Sequence, residues 1–248
     1  MQPRQRKVLK SIVKEYCRTG EPVGSLFLAE KHTFSYSPAT IRGEMSRLER
    51  KGYLTHPHTS AGRTPTDKGF RFFIDELMDQ TILLERERQV FIEYVSRFLH
   101  DQNQLLRGAS RALARISRNL GFGVLPHKRA FYSSGYGDLL RALQEENIDQ
   151  AADIFGFFEN DLEKKIERLF RNLDQETRVF IGAENPLKEF KNCSLVVGCG
   201  CLNDQGEKIL VGVLGPKKMD YAKNISLVGE LAGWFGRRNK KFIRNQKQ

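Results

Sequence analysis

The order of apolar and polar positions predicts three short helices at the start of the chain. The first runs from about Arg4 to Thr19 and ends at Gly20. A shorter second helix follows, with Ser25 as its N-cap. The third has the strongest signals, because Ser37 occupies the N-cap position and Pro38 the first helical position. Its apolar stripe consists of Ile41, Met45 and Leu48.

A strand and a polar loop are predicted after the third helix. Gly52 closes the helix, and Tyr53-Leu54 begins the strand. The loop His56–Thr64 has no apolar residue larger than Ala or Pro, so it cannot form a core of its own. The chain then returns through Pro65–Gly69 into an aromatic-rich helix, Phe70–Met78. Three helices, a strand, a polar loop and a return are typical of a winged helix-turn-helix.

Beyond residue 80 the pattern changes from one long helical stretch to short strands and helices. The stretch from Leu84 to Asn119 predicts a connecting helix or a helical hairpin, broken near Gly108. Strands are predicted at Phe122–Leu125, Ala130–Ser133, Arg178–Ile181, Ser194–Cys199 and Lys208–Leu214. Helices are predicted at Leu139–Gln144, Gln150–Phe158, Asp161–Leu173 and Tyr221–Phe235. With a hairpin turn at Asn203–Gly206, the pattern predicts an α+β fold with an antiparallel component.

The positive charge lies at the two ends of the chain. The 248 residues carry a net charge of +11. Residues 1–75 hold 14 Lys and Arg against 7 Asp and Glu, residues 76–236 hold 21 against 23, and residues 237–248 hold six basic residues and no acid. A basic N-terminal domain on a nearly neutral body favours a phosphate-binding function, and a solvated basic face is the alternative. No apolar run approaches the ~20 residues of a membrane-spanning helix, so we expect a cytoplasmic protein.

The sequence offers little for metal binding or catalysis. Cys199 and Cys201 lie on one face of a strand, and the spacing of the four cysteines is not that of a zinc site. We therefore expect buried, reduced thiols and no metal. His56 and His58 lack further ligands. Because the chain contains no GxSxG, GxxxxGK[ST] or HExxH motif, we expect no catalytic residues, no cofactor and no enzyme activity.

The exposed side of the third helix is the candidate DNA-reading surface. An α-helix fits the major groove, where Arg42 can make a bidentate contact to guanine and Thr40 can meet a thymine methyl or a phosphate. Arg47 and Lys51 are suited to positioning the helix on the backbone. The predicted DNA-contacting residues of helix and loop are Ser37, Thr40, Arg42, Gly43, Arg47, Lys51, His58, Thr59, Ser60 and Arg63. The alternatives are solvated arginines paired with Glu44 or Glu49, and an exposed hairpin tip.

Long ordered motifs at both ends of the chain resemble one protein family. On the N-terminal side they are Arg4–Leu9, Thr19–Ser25, Ser37–Arg42, His58–Arg63 and Pro65–Phe72. Near the C-terminus they are Gly182–Pro186, Cys193–Val196, Leu214–Pro216 and Met219–Tyr221. Together they resemble the HrcA family of heat-inducible transcription repressors.

The resemblance implies a negative regulator of chaperone (heat-shock) operons. Such a repressor binds an inverted-repeat operator in double-stranded DNA as a homodimer and is released on heat stress, and a GroEL-type chaperonin keeps it folded and active. By position, the recognition helix is Ser37–Lys51 and the wing is His56–Thr64. The implied layout is a winged helix-turn-helix over 1–78, a connecting helical segment over 79–120, an abridged GAF-like domain over 121–236 and a basic tail over 237–248.

Two features depart from the family pattern. Gly43 stands where the family usually has Asn, which points to a different operator sequence. The chain also passes almost directly from Leu120–Leu125 to Tyr132, where the family places several strands and an inserted dimerisation region. As a substitute we consider the long helix as a dimer seam, through Phe91, Val95 and Leu99.

Two other kinds of winged-helix protein remain open. One senses a small molecule through its GAF-like body, and its operator affinity would change when the ligand is added. The other binds RNA or a protein, and weak salt dependence of duplex binding would favour it.

Overall fold

The chain folds into two compact units. The computed structural model describes residues 1–31, 36–57, 62–79, 81–96, 101–128, 130–144, 148–158, 177–202 and 207–245. The first unit, here called the head, contains Met1–Gln80 and Lys218–Ala222. The second, here called the sheet unit, contains Thr81–Lys217 and Lys223–Gln248.

The head has the predicted order of three helices, a β-ribbon and a further helix. Its elements are α1 (Pro3–Thr19), α2 (Ser25–Lys31), α3 (Pro38–Arg50), β1 (Leu54–Thr55), β2 (Thr64–Pro65) and α4 (Asp67–Glu76). β1 pairs antiparallel with β2, with Leu54 opposite Pro65. An isolated bridge between Val23 and Arg63 adds a third segment to this ribbon.

Local capping explains where α1 and α3 begin and end. Gly20 closes α1 with φ +77°, and its N–H donates to the Tyr16 carbonyl at 2.8 Å. The Ser37 hydroxyl accepts the N–H of Thr40 at 3.2 Å and caps α3, as predicted. α3 ends in a Schellman motif around Gly52, whose φ is +76°. In this motif the Tyr53 N–H donates to the Leu48 carbonyl at 3.0 Å, and the Gly52 N–H to that of Glu49 at 2.8 Å.

Two predicted helix starts in the head were wrong by a few residues. Ser25 is the first residue of α2 and not its cap, because the Leu28 N–H donates to the Gly24 carbonyl. α4 begins at Asp67 instead of Phe70, because the Thr66 hydroxyl accepts the Gly69 N–H at 3.1 Å and caps the helix earlier.

The sheet unit combines helices with one five-stranded sheet, which confirms the mixed α+β class. Its elements are α5 (Glu85–Ser96), α6 (Gln102–Ser117), β3 (Leu120–Leu125), β4 (Ala130–Ser134), α7 (Tyr136–Gln144), α8 (Ile148–Gly156), β5 (Arg178–Ile181), β6 (Cys193–Cys201), β7 (Lys208–Pro216) and α9 (Tyr221–Asn245, from Lys223 onward). The strand order is β4-β3-β7-β6-β5, and every pairing is antiparallel.

Helices cover both faces of this sheet. On one face, residues such as Phe122 and Leu195 join Leu139 of α7 and Ile154 of α8 in a buried apolar cluster. The other face carries glycines where helices approach closely. A Cβ at Gly121 would lie 2.5 Å from a backbone nitrogen of α6, and glycines of β6 contact α9 in the same way. The sheet unit is therefore a three-layer arrangement of helix, sheet and helix.

The long helical stretch is a hairpin of α5 and α6, but it does not break where we predicted. Gly108 is buried inside α6. The interruption lies between Ser96 and Gln102, where the Asp101 carboxylate accepts the N–H of Asn103 at 2.8 Å and caps α6. Both helices belong to the sheet unit and not to a separate connecting segment.

The structure contradicts the suggested dimer seam on α5 at one of its three residues. Val95 is fully buried within the protomer. The Phe91 ring packs edge-on against Trp234, with ring centroids 5.9 Å apart. Val95 is therefore unavailable to a partner subunit, whereas Phe91 is half-buried and its place in a seam stays a prediction; Leu99 lies outside the described residues.

The predicted strands of the sheet unit are all present, with ends that differ by at most two residues. α9 continues to Asn245, ten residues past its predicted end at Phe235, and so runs through most of the segment predicted as a tail. The predicted turn Asn203–Gly206 and helix Asp161–Leu173 lie outside the described residues. Among the described helices, none is long and apolar enough to cross a membrane.

Candidate nucleic-acid interface

α3 presents one side to the core of the head and the opposite side to solvent. Ile41 and Leu48 are fully buried, and Met45 is 4% exposed. Because successive residues of an α-helix are rotated by about 100°, the side opposite this stripe is defined by sequence position alone. It carries Ala39, Gly43, Ser46 and Arg50, with Arg42 on one flank and Arg47 on the other.

The candidate DNA-contacting residues of α3 lie at its surface. Ser37, Arg42, Gly43, Arg47 and Lys51 are exposed, and Thr40 is half-buried. Of the four wing residues, only Arg63 is among the described residues. His58, Thr59 and Ser60 lie outside them. The contacts of all ten residues with DNA stay predictions.

The middle of the exposed side is open. A Cβ built at Gly43 would meet no atom within 4 Å, so this glycine is not required by packing inside the head. Arg42 beside it forms no ion pair within the described part of the chain. The guanidinium of Arg42 is therefore available to an external acceptor.

A buried carboxylate fixes the Arg47 flank. Glu44 is only 2% exposed and accepts the Arg47 guanidinium at 2.7 Å, the pairing that the solvated alternative had named. Its second oxygen accepts the Gln5 amide at 3.1 Å. The Gln5 carbonyl oxygen in turn accepts Lys51 Nζ at 3.0 Å. This chain of bonds joins α1 to α3 and places Arg47 and Lys51 on the same flank.

Sequence reasoning missed Gln5 and the burial of Glu44. Glu44 precedes Met45 and lies three residues after Ile41, so it falls at the edge of the apolar stripe, which is a weak signal for burial. Gln5 gave no signal, because its two partners are 39 and 46 residues away in sequence.

A second carboxylate of α3 holds the base of the wing. One oxygen of Glu49 accepts Arg63 Nε at 2.9 Å, and the other is hydrogen-bonded to His56 Nδ1. The backbone of Arg63 also pairs with Val23, through two bonds of 2.9 Å. Gly62 is required here, since a Cβ would lie 2.5 Å from the Val23 backbone. Arg63 is thus a structural residue of the wing as well as a candidate DNA contact.

Comparisons with known proteins give one family. A family model described as the HrcA protein C-terminal domain matches residues 71–225. A heat-inducible transcription repressor HrcA of Acetivibrio thermocellus is 44% identical over 126 residues, which are 51% of this chain and 36% of that protein. The chain therefore matches about a third of that relative's length.

A second relative and one solved structure match along almost the whole chain. The heat-inducible transcription repressor HrcA of Natranaerobius thermophilus is 27% identical over 332 residues, covering 92% of this chain and 94% of that protein. Since this chain has 248 residues, that alignment includes residues of the relative without a counterpart here. A crystal structure of a hypothetical protein at 2.2 Å resolution is 19% identical, covers 96% of this chain and 98% of that chain, and has a TM-score of 0.70, which shows a shared fold.

Proposed function

Because the chain belongs to the HrcA family, we propose that it represses transcription by binding an operator in duplex DNA through α3 and the wing. The observation that carries this proposal is the open side of α3. The Arg42 guanidinium has no partner within the described part of the chain, and a Cβ at Gly43 would meet no atom within 4 Å. The major groove accommodates an α-helix, and here the exposed side of α3 is unobstructed while the side chains on its Arg47 flank are held in place.

Each candidate residue has a distinct role in this proposal. Arg42 binds a guanine edge through O6 and N7, while Gly43 lets the helix backbone approach the groove floor. Ser37 and Thr40 contact a phosphate or a thymine methyl at the N-terminal end of α3. Arg47 and Lys51 bind phosphates on the flank that Glu44 and Gln5 hold. The wing contributes further contacts to phosphates or to the minor groove, through His58, Thr59, Ser60 and Arg63.

The finer features of the proposal rest on the family. We propose an inverted-repeat operator upstream of chaperone operons, bound by a homodimer and released on heat stress. A GroEL-type chaperonin maintains the active repressor. The sheet unit acts as a GAF-like structural body, which its filled apolar layer between sheet, α7 and α8 supports.

The test is binding to a duplex that carries the family-type inverted repeat and to a scrambled duplex, at several salt concentrations. Arg42→Ala is compared with Arg71→Ala, a head arginine on α4 that pairs with Asp75. We expect the parent to prefer the repeat, and Arg42→Ala to lose about 1–3 kcal/mol of that preference. Arg71→Ala should keep it.

Equal binding of both duplexes by the parent would contradict the proposed operator recognition. Sedimentation of the protein with and without the repeat tests the homodimer. Refolding after heat treatment, with and without a GroEL-type chaperonin, tests the chaperonin through the recovered operator binding.

A further inference from the structure

A concavity in the head brings three basic side chains together beside the C-terminal end of α3. It has a volume of about 580 Å³ and is lined by Gln2, Gln5, Arg47, Arg50 and Lys51. The lining carries three positive charges, and the Glu44 carboxylate that binds Arg47 and Gln5 offsets one of them, so the balance of charge around the concavity is positive.

The basic groups of this concavity keep donors that the fold does not use. Arg50 forms no ion pair within the described residues and is exposed. Arg47 uses one terminal amino group for Glu44. Lys51 Nζ uses one of its three N–H bonds for Gln5. Arg50 is thus wholly available and the other two partly so.

The floor of the concavity is fixed in place. Gln5 is 2% exposed, and its amide bonds Glu44 on one side and Lys51 on the other. Because Lys51 is held by a buried group, less of its side-chain freedom is lost when it binds an anion. The start of α1 adds to the positive potential, since Gln2 gives no side-chain cap and the first turn has no acid.

We propose that this concavity is a phosphate seat for the DNA backbone, at the C-terminal end of the exposed side of α3 and away from Arg42. Two guanidinium groups and an ammonium group are the donors that phosphate oxygens accept best. The seat combines Arg47 and Lys51 of the flank with Arg50, which lies at the C-terminal end of the side of α3 that the proposed function places in the major groove. A backbone phosphate bordering that groove is therefore its occupant. This inference rests on the proposed function and adds Arg50, Gln5 and Gln2 to it.

Arg50→Gln tests the seat, because it removes an exposed charge without a described partner. A plot of log affinity against log salt has a negative slope, and loss of one phosphate contact makes that slope shallower by about 0.9. Between about 50 and 200 mM salt, the affinity of Arg50→Gln should therefore fall about 3.5-fold less than that of the parent. The loss of affinity should be equal for the inverted repeat and the scrambled duplex, since a phosphate carries no base information.

Two control variants make the comparison specific. Arg71→Gln removes one charge from another part of the head and should keep the parent's slope. Arg50→Lys keeps the charge and should restore most of the slope. Circular dichroism checks that all variants have the parent's helix content.

The seat is refuted if Arg50→Gln and Arg71→Gln have the same slope as the parent. Calorimetry with inorganic phosphate in the absence of DNA identifies a second way to fail. If the parent binds the ion while Arg50→Gln keeps the parent's DNA slope, the concavity binds free phosphate and not the DNA backbone, and the seat is refuted. Failure of the proposed function is seen separately. A parent without preference for the repeat contradicts operator recognition, whereas the slopes on scrambled DNA still decide the phosphate seat.

Discussion

Two glycines inside helices of the head are expected to respond oppositely to substitution by alanine. Gly43 of α3 has no atom within 4 Å of a built Cβ. Gly69 of α4 would place its Cβ 2.2 Å from the Tyr53 carbonyl oxygen. Alanine has the higher helix propensity at both positions, by about 1 kcal/mol. Packing around the new methyl group therefore decides whether each substitution raises or lowers the free energy of unfolding.

Gly43→Ala should raise the free energy of unfolding of the head by about 1 kcal/mol, since nothing opposes the gain. For a unit of this size that is a rise in Tm of about 4–8 °C. Gly69→Ala should lower the free energy of unfolding by about 1–3 kcal/mol, because the backbone of α4 or of Tyr53 must move. Hydrogen exchange of peptides from α1 and α3, measured in increasing urea, reports the head selectively.

DNA binding gives a second, independent readout of the same pair. Gly43→Ala adds a methyl group on the side of α3 that faces the groove in our proposal, so the more stable variant should bind the operator less tightly than the parent. A destabilised Gly43→Ala protein would refute the open side of α3. A stabilised variant with unchanged operator affinity would refute the close approach of Gly43 to DNA.

Three further outcomes follow from buried groups. Burial raises the pKa of Glu15, but hydrogen bonds from Lys31 and Arg18 lower it by more than burial raises it. The pKa of Glu15 therefore lies below its usual value of 4.5. The ionised group therefore stabilises the head above that pH and loses this effect as the pH falls further, and Glu15→Gln should flatten the acid limb of urea denaturation; an unchanged limb contradicts this. Burial raises the pKa of Cys17 to about 12, so iodoacetamide at about pH 8 should alkylate it much more slowly in the native protein than in urea, and equal rates would count against it. Gly121→Ala should destabilise the sheet unit by about 1–3 kcal/mol, because its Cβ would lie 2.5 Å from the Ala114 nitrogen; the single tryptophan, in α9, reports this unfolding, and an unshifted midpoint refutes the close packing.

The parts of the fold that the sequence predicted are those with local signals. Ser37 and Pro38 mark the start of α3 because a cap and a first-turn proline act on neighbouring residues. Gly52 marks its end because few other residues adopt its positive φ. The apolar stripe of α3 follows from helix geometry, and it also defines the exposed side that carries Arg42.

Features that depend on distant residues could not be predicted from the sequence. Gly108 has a low helix propensity, but it lies buried within α6, and tertiary packing overrides that preference. The same holds for the seat beside α3. Gln5 and Lys51 are 46 residues apart, and only the crossing of α1 over α3 brings them together. The sequence accordingly predicted Arg47 and Lys51 as phosphate contacts but gave no reason to include Arg50.

The carboxylate of Glu49 connects α3 to both ends of the loop between β1 and β2. It is bonded to His56 on one strand end and to Arg63 on the other, while its own backbone belongs to α3. Groups that share a partner have non-additive mutational effects, with interaction energies of about 0.5–3 kcal/mol. Substitutions in the helix and in the wing are therefore epistatic. Under the proposed function, a lineage that changes its operator alters these two elements in concert, because a new wing has to fit the same Glu49 carboxylate as the helix that accompanies it.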